Sequence, residues 1–166
     1  MFVSPQATTM PSNPTAVWAL DTNTVMALWV FEDPALQTLR HALEESHVQL
    51  ASRTDALEEF RRVLAYRQFA VPDERQVELL VRYAARCRTV TAPHDDTPPL
   101  PLCRDQDDQK FLEIARDAGA SHLITRDKLL LKLARHRLIR PLYHIVTPEA
   151  VQAQWQKAQP TPDAAP

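Results

Sequence analysis

Two apolar segments of this chain each run straight into an aspartate: Ala16-Val-Trp-Ala-Leu-Asp21 and Ser121-His-Leu-Ile-Thr-Arg-Asp127. Short apolar runs bounded by polar residues are the pattern of strands buried on both faces of a parallel sheet. In an open α/β sheet the functional crevice lies outside the carboxyl ends of such strands. Both carboxylates are therefore expected at that crevice. Two more acidic clusters lie between them, Glu58-Glu59 and Asp105-Gln-Asp107-Asp108, each at or inside a helix-like stretch. Carboxylates gathered at one place commonly hold Mg²⁺ or Mn²⁺ through hard oxygen ligands.

The rest of the chain narrows the classes. With 166 residues, 45% of them hydrophobic and 24% charged, it suits one soluble domain, burying roughly 70% of its unfolded surface. No stretch approaches the roughly 20 apolar residues of a membrane span, so no membrane association is expected. Residues 1 to 14 have neither the basic start nor the apolar stretch of a signal peptide. Cys87 and Cys103 match neither a disulfide framework nor metal-ligand spacing. A reduced, cytoplasmic protein is the expectation. The six histidines, His41, His47, His94, His122, His136 and His144, show no zinc spacing. The chain has one glycine, Gly119, so no Gly-rich phosphate loop can form. That excludes P-loop hydrolases and dinucleotide-binding dehydrogenases. A formal net charge of -2 does not by itself point to nucleic acid. A nucleic-acid reading requires the acids at one site and the bases elsewhere.

Prolines at 5, 11 and 14 and at 160, 162 and 166 mark two tails, 1–14 and 158–166, expected to be disordered around a single domain of residues 15–157. Strands are predicted at 16–21, 47–51, 88–91, 121–125 and 142–146. Helices are predicted at 22–31, 34–45, 54–67, 72–86, 107–118, 127–136 and 148–157, with a Pro-rich loop at 92–104. Thr147-Pro148-Glu149 supplies the last helix with an N-cap, a Pro at its first position and an early acid. Gly119 sits where the helix from Asp108 should close. Alternating strands and helices argue for an α/β fold with a parallel sheet covered on both faces.

Each acid has a structural and a chemical reading. Asp21 and Asp127 each precede a helix, where a capping aspartate is worth about 1 kcal/mol. The stripe Phe111, Leu112, Ile114, Ala115 and Ala118 is centred midway between Asp107 and Asp108. Periodicity thus turns one of these two toward the sheet without saying which. On the helix of Leu57, Phe60, Val63 and Leu64, Glu59 borders the apolar stripe. Glu58 lies further round, facing Arg61 and Arg62 as a solvated ion-pair partner.

The order Leu20-Asp-Thr-Asn23, Glu59-Phe-Arg-Arg-Val-Leu64, Cys103-Arg-Asp-Gln-Asp-Asp-Gln-Lys-Phe-Leu112 and Leu123-Ile-Thr-Arg-Asp-Lys128 resembles the PIN-domain nucleases. It is similar above all to the branch described as toxin components of bacterial toxin–antitoxin pairs. The resemblance covers about residues 15 to 155. It implies a PIN-like three-layer α/β/α sandwich with a central parallel sheet. It places the family's acidic quartet, catalytic and metal-ligating, on Asp21, Glu59, Asp108 and Asp127, and thereby selects Asp108 over Asp107. Asn23, Thr125 and Asp105 match its supporting polar residues. Members often carry a second aspartate shortly after Asp127, where this chain reads Lys128-Leu129-Leu130.

The resemblance further implies a Mg²⁺- or Mn²⁺-dependent endoribonuclease cleaving single-stranded RNA, a small antitoxin as partner, and a homodimer. Arg61, Arg62, Lys128 and Lys132 are the basic residues available to hold nucleic acid, although basic helix faces are often merely solvated. Trp18, Trp29 and Trp155 are expected in the core. Two rivals remain. One is a catalytically silent PIN fold that binds nucleic acid or protein. The other is an aspartyl-phosphate phosphotransferase, which wants a paired Asp-x-Asp that Asp21-Thr22-Asn23 lacks.

Overall fold

The computed structural model describes residues 16–158 apart from 46, 92 and 94. The two expected tails lie outside the described residues, except for Ala158, which closes the last helix. His94 lies outside them too.

Five short strands, β1 (Val17–Leu20), β2 (Gln49–Ser52), β3 (Cys87–Thr89), β4 (His122–Ile124) and β5 (His144–Val146), form one parallel sheet in the order β3-β2-β1-β4-β5. Between and after them come α1 (Thr22–Val25), α2 (Gln37–Glu44), α3 (Thr54–Leu64), α4 (Asp73–Arg86), α5 (Gln109–Asp117), α6 (Lys128–Lys132) and α7 (Pro148–Ala158). Because strand side chains alternate between faces, successive residues of β1, β2, β4 and β5 enter two different cores. Trp18, Leu20, Leu50 and Ile124 pack with Phe60 and Leu64 of α3, Leu79 and Tyr83 of α4, and Val151 of α7. Ala19, Ala51, Leu123 and Ile145 pack on the other face with Phe111, Leu112, Ile114 and Ala115 of α5 and Leu130 of α6. The result is the expected three-layer α/β/α sandwich.

All five predicted strands and every predicted helix are present, but α2 and α5 are entered through 3-10 turns, Pro34–Leu36 and Gln106–Asp108, α3 stops at Leu64, and two helices change form along their length. The helix expected over 22–31 is α1 followed by a π turn, Met26–Val30. Phe31 N–H reaches Met26 O because Ala27 O is taken by Asp33 N–H. The helix expected over 127–136 tightens into a 3-10 turn, Leu133–Arg135, after α6. Trp18 is buried as expected, and Trp29 and Trp155 pack against the same core half-buried.

The chain runs from β1 outward through β2 to β3, then returns to β4 on the other side of β1. The direction of winding thus reverses between β1 and β4, and the carboxyl ends of those two strands flank the crevice.

Gly119 ends α5 with φ +61°, its N–H donating to Arg116 O while Ala120 N–H donates to Ala115 O. This is a Schellman closure. An added Cβ would meet nothing within 4 Å, so Gly119→Ala should lower the unfolding free energy by about 1–2 kcal/mol through backbone conformation alone. Urea denaturation measures this, with Gly119→Asn expected to lose less.

Candidate active site

The β1–β4 register sets Leu20 beside Ile124. Asp21 N–H extends the ladder to Ile124 O at 3.2 Å, so the Asp21 carboxylate emerges at the strand ends. Its Oδ1 accepts Thr24 N–H at 2.9 Å, capping α1, and its Oδ2 accepts the Thr125 hydroxyl. Thr125 is wholly buried, and its Oγ1 in turn accepts Asp127 N–H at 2.9 Å. One threonine thus ties the two strand-end aspartates together. Thr24 adds a bond from its hydroxyl to Ile124 O at 3.2 Å.

Asp127 caps α6 as the sequence suggested, its Oδ1 accepting Leu129 N–H at 2.8 Å and Leu130 N–H at 3.0 Å. Capping and membership of the crevice are compatible, because each cap occupies only part of a carboxylate's acceptor capacity.

Glu59 enters half-buried from α3. Its Oε2 accepts the Thr22 hydroxyl, and its Oε1 lies 3.3 Å from Lys110 Nζ. Lys110 also donates to Asp107 O and stands 5.1 Å from the Phe111 ring centroid. Glu58 is exposed and paired with Arg61. Arg53 braces α3 against α5, its guanidinium reaching Asp55 and Glu113 at 2.8 Å each.

Asp108 ends the 3-10 turn Gln106–Asp108, which Asp105 caps by accepting Asp107 N–H at 2.9 Å. Asp107 is exposed and Asp108 half-buried. Burial pushes the Asp108 carboxyl up to about 6, with Asp127, Asp105, Asp21 and Glu59 raising it further through their charge. Burial also raises Asp21, against the hydrogen bonds from Thr125 and Thr24 that lower it. The Cys103 thiol is pushed up to about 11 by burial and by Asp108, Asp105 and Asp127, so it stays protonated at neutral pH.

Of the expected site residues, Asp21, Glu59, Asp105, Asp108 and Asp127 therefore share one electrostatic neighbourhood, with Thr125 inside it. Asn23 is exposed, and Thr22 beside it makes the bond to Glu59. Arg62, Lys128 and Lys132 are exposed, and Arg61 is engaged by Glu58. Sequence reasoning missed Thr22, Thr24, Arg53 and Lys110. Lys110 had one signal: a lysine in the first turn of a helix opposes the helix dipole and needs a compensating partner.

The donor set suits a hard divalent cation. Among the described residues, Lys110–Glu59 is the one ion pair made by these acids, which leaves most of their mutual repulsion for a bound cation to relieve. Asp21, Glu59, Asp108 and Asp127 are the residues that could supply its oxygen ligands. Among the described residues, no group of three or more acidic, histidine or cysteine side chains stands arranged to hold a metal ion.

A family model described as PIN domain matches residues 18–129. The crystal structure of PAE2754 from Pyrobaculum aerophilum resembles this fold with a TM-score of 0.54. It is 12% identical, covering 93% of this chain and 99% of that one. No curated protein matches the chain.

The Asp108 shift sets a pH dependence for metal-free protein. A carboxyl raised from 3.8 to about 6 binds more protons folded than unfolded between those values. Its contribution is therefore fully present below about pH 4 and is lost as pH rises through about 6. In EDTA, Asp108→Asn should stabilise the protein at pH 7.5 by on the order of 1 kcal/mol, discounted for partial exposure, and leave it unchanged near pH 4. Thermal melting at the two pH values measures the difference.

Proposed function

The chain belongs to the PIN-domain family, and we propose that it is a Mg²⁺- or Mn²⁺-dependent endoribonuclease that cleaves single-stranded RNA. PIN domains are generally nucleases, and the observation that carries the reading here is Asp108. Its carboxyl is held near 6 by burial and by the other acids of the crevice, an arrangement that a divalent cation would relieve.

A cation bound there would lower the pKa of a coordinated water and neutralise charge developing on the scissile phosphate. The chain's own residues position that chemistry. Asp21 and Asp108 would serve as direct ligands, and Glu59 and Asp127 would complete the shell directly or through water. Thr125 and Thr24 hold the Asp21 carboxylate, each on one oxygen. Thr22 and Lys110 hold Glu59 from two sides. Asp127 is fixed by its own helix cap. No side-chain nucleophile is needed, and the protonated Cys103 offers none.

The sequence resemblance to the toxin branch supports three further parts of this reading: a toxin role, a small antitoxin that covers the crevice, and a homodimer. Among the described residues no helix is long and apolar enough to cross a membrane.

The test is cleavage of a labelled single-stranded RNA by wild type and Asp21→Asn purified in parallel, each with Mn²⁺, Mg²⁺ and EDTA. Wild type should cut only with metal, and Asp21→Asn should lose about a hundredfold or more. Equal cutting by both proteins would remove the site as drawn. No cutting by either would favour the silent binding module.

A further inference from the structure

The acid crevice has an apolar neighbour. A cavity of about 270 Å³ opens between the segment before α5 and the start of α6. Leu102 and Leu133 are among its apolar walls, Arg104 and Lys132 line it with positive charge, and Asp105 and Asp108 are shared with the crevice. Leu102 is 87% exposed, the most exposed large apolar side chain among the described residues. Among the described residues neither Arg104 nor Lys132 makes an ion pair, although Asp105 and Asp108 line the same cavity. A single-stranded polynucleotide presents a flat base joined to an anionic backbone, and apolar walls edged by cations match both parts.

We propose that this cavity is a base-binding subsite, which takes the unpaired base next to the phosphate held at the acids. The inference rests on the nuclease reading for where that phosphate lies. Leu102 and Leu133 cover the base faces, and Arg104 and Lys132 meet the flanking phosphates. Asp105 spends Oδ1 on Asp107 N–H, which leaves Oδ2 to accept from an exocyclic amine. The N3–H of uracil can meet the same oxygen, so the subsite accepts any of the four bases and ranks them by the area of their faces.

The experiment is fluorescence anisotropy of 5′-labelled hexanucleotides, oligo(A) and oligo(U), against wild type, Leu102→Ala and Arg104→Gln, in Ca²⁺ and in EDTA. Oligo(A) is then scanned with one abasic residue at each position. Wild type should bind both oligomers, oligo(A) more tightly because adenine offers the larger face. At one position the abasic change should weaken wild-type binding about tenfold but Leu102→Ala binding less than about twofold, the non-additivity of groups in contact. Arg104→Gln should weaken both oligomers alike and flatten the salt dependence. Leu102 is exposed, so its variant should melt with wild type, which separates lost contact from lost fold.

Additive losses at every position, or no binding of either oligomer, would overturn the subsite. Cleavage in Mn²⁺ together with additive losses would keep the nuclease and remove the subsite. Coupling without cleavage would keep the subsite and remove the catalytic reading. If a purified inhibitory protein is weakened by Leu102→Ala while every oligonucleotide binds that variant as it binds wild type, the cavity belongs to a protein side chain, and the proposal fails.

Discussion

The parallel pairing of β1 with β4 sets Leu20 beside Ile124 and hands Asp21 N–H to Ile124 O, and the acid crevice depends on that register. A slip of one residue would exchange the two faces of β1. Trp18 and Leu20 would then leave the core that contains Phe60, and Ala19 would leave the one that contains Leu112. The same slip would part the Asp21 carboxylate from Thr125, the residue that links it to the Asp127 backbone. Core packing thus enforces the position of a polar cluster to which it contributes no polar atom.

The crevice built on that register is electrostatically uncomfortable. Asp21, Glu59, Asp105 and Asp127 each accept hydrogen bonds that hold them in place, while Asp108 feels four other carboxylates. Lys110 offsets Glu59 and no other acid of the group among the described residues. Stability given up in this way is common at functional sites, where a bound ligand restores it. It also reconciles a net charge of -2 with a nucleic-acid substrate. The acids concentrate at one end of two strands, while Arg104, Lys128 and Lys132 supply positive charge on the adjoining elements.

Most of the fold was legible because its central strands β1 and β4 are apolar runs buried on both faces and its helices carry clear stripes. Helix ends were legible where capping chemistry is strong, as at Asp21, Asp127 and Gly119. The site was legible in its acids and less so in their supports. Periodicity at 100° per residue left Asp107 and Asp108 tied because the apolar stripe is centred midway between them, whereas the chain enters α5 through a 3-10 turn, which rotates about 120° per residue. That turn leaves Asp107 exposed and Asp108 half-buried. Thr22 and Asn23 are adjacent polar residues, and only the helical turn of α1 decides which of them meets Glu59. Lys110 and Arg53 act across elements, on Glu59 and Glu113, and no local pattern announces such partners.

The most direct test of the central claim is diffraction from crystals soaked in Mn²⁺, with anomalous data collected above the manganese edge. The account predicts an anomalous peak between Asp21 and Asp108, within reach of Glu59 and Asp127, that disappears in Asp21→Asn. A fully soaked crystal with no peak there, or with manganese held only elsewhere, would contradict it.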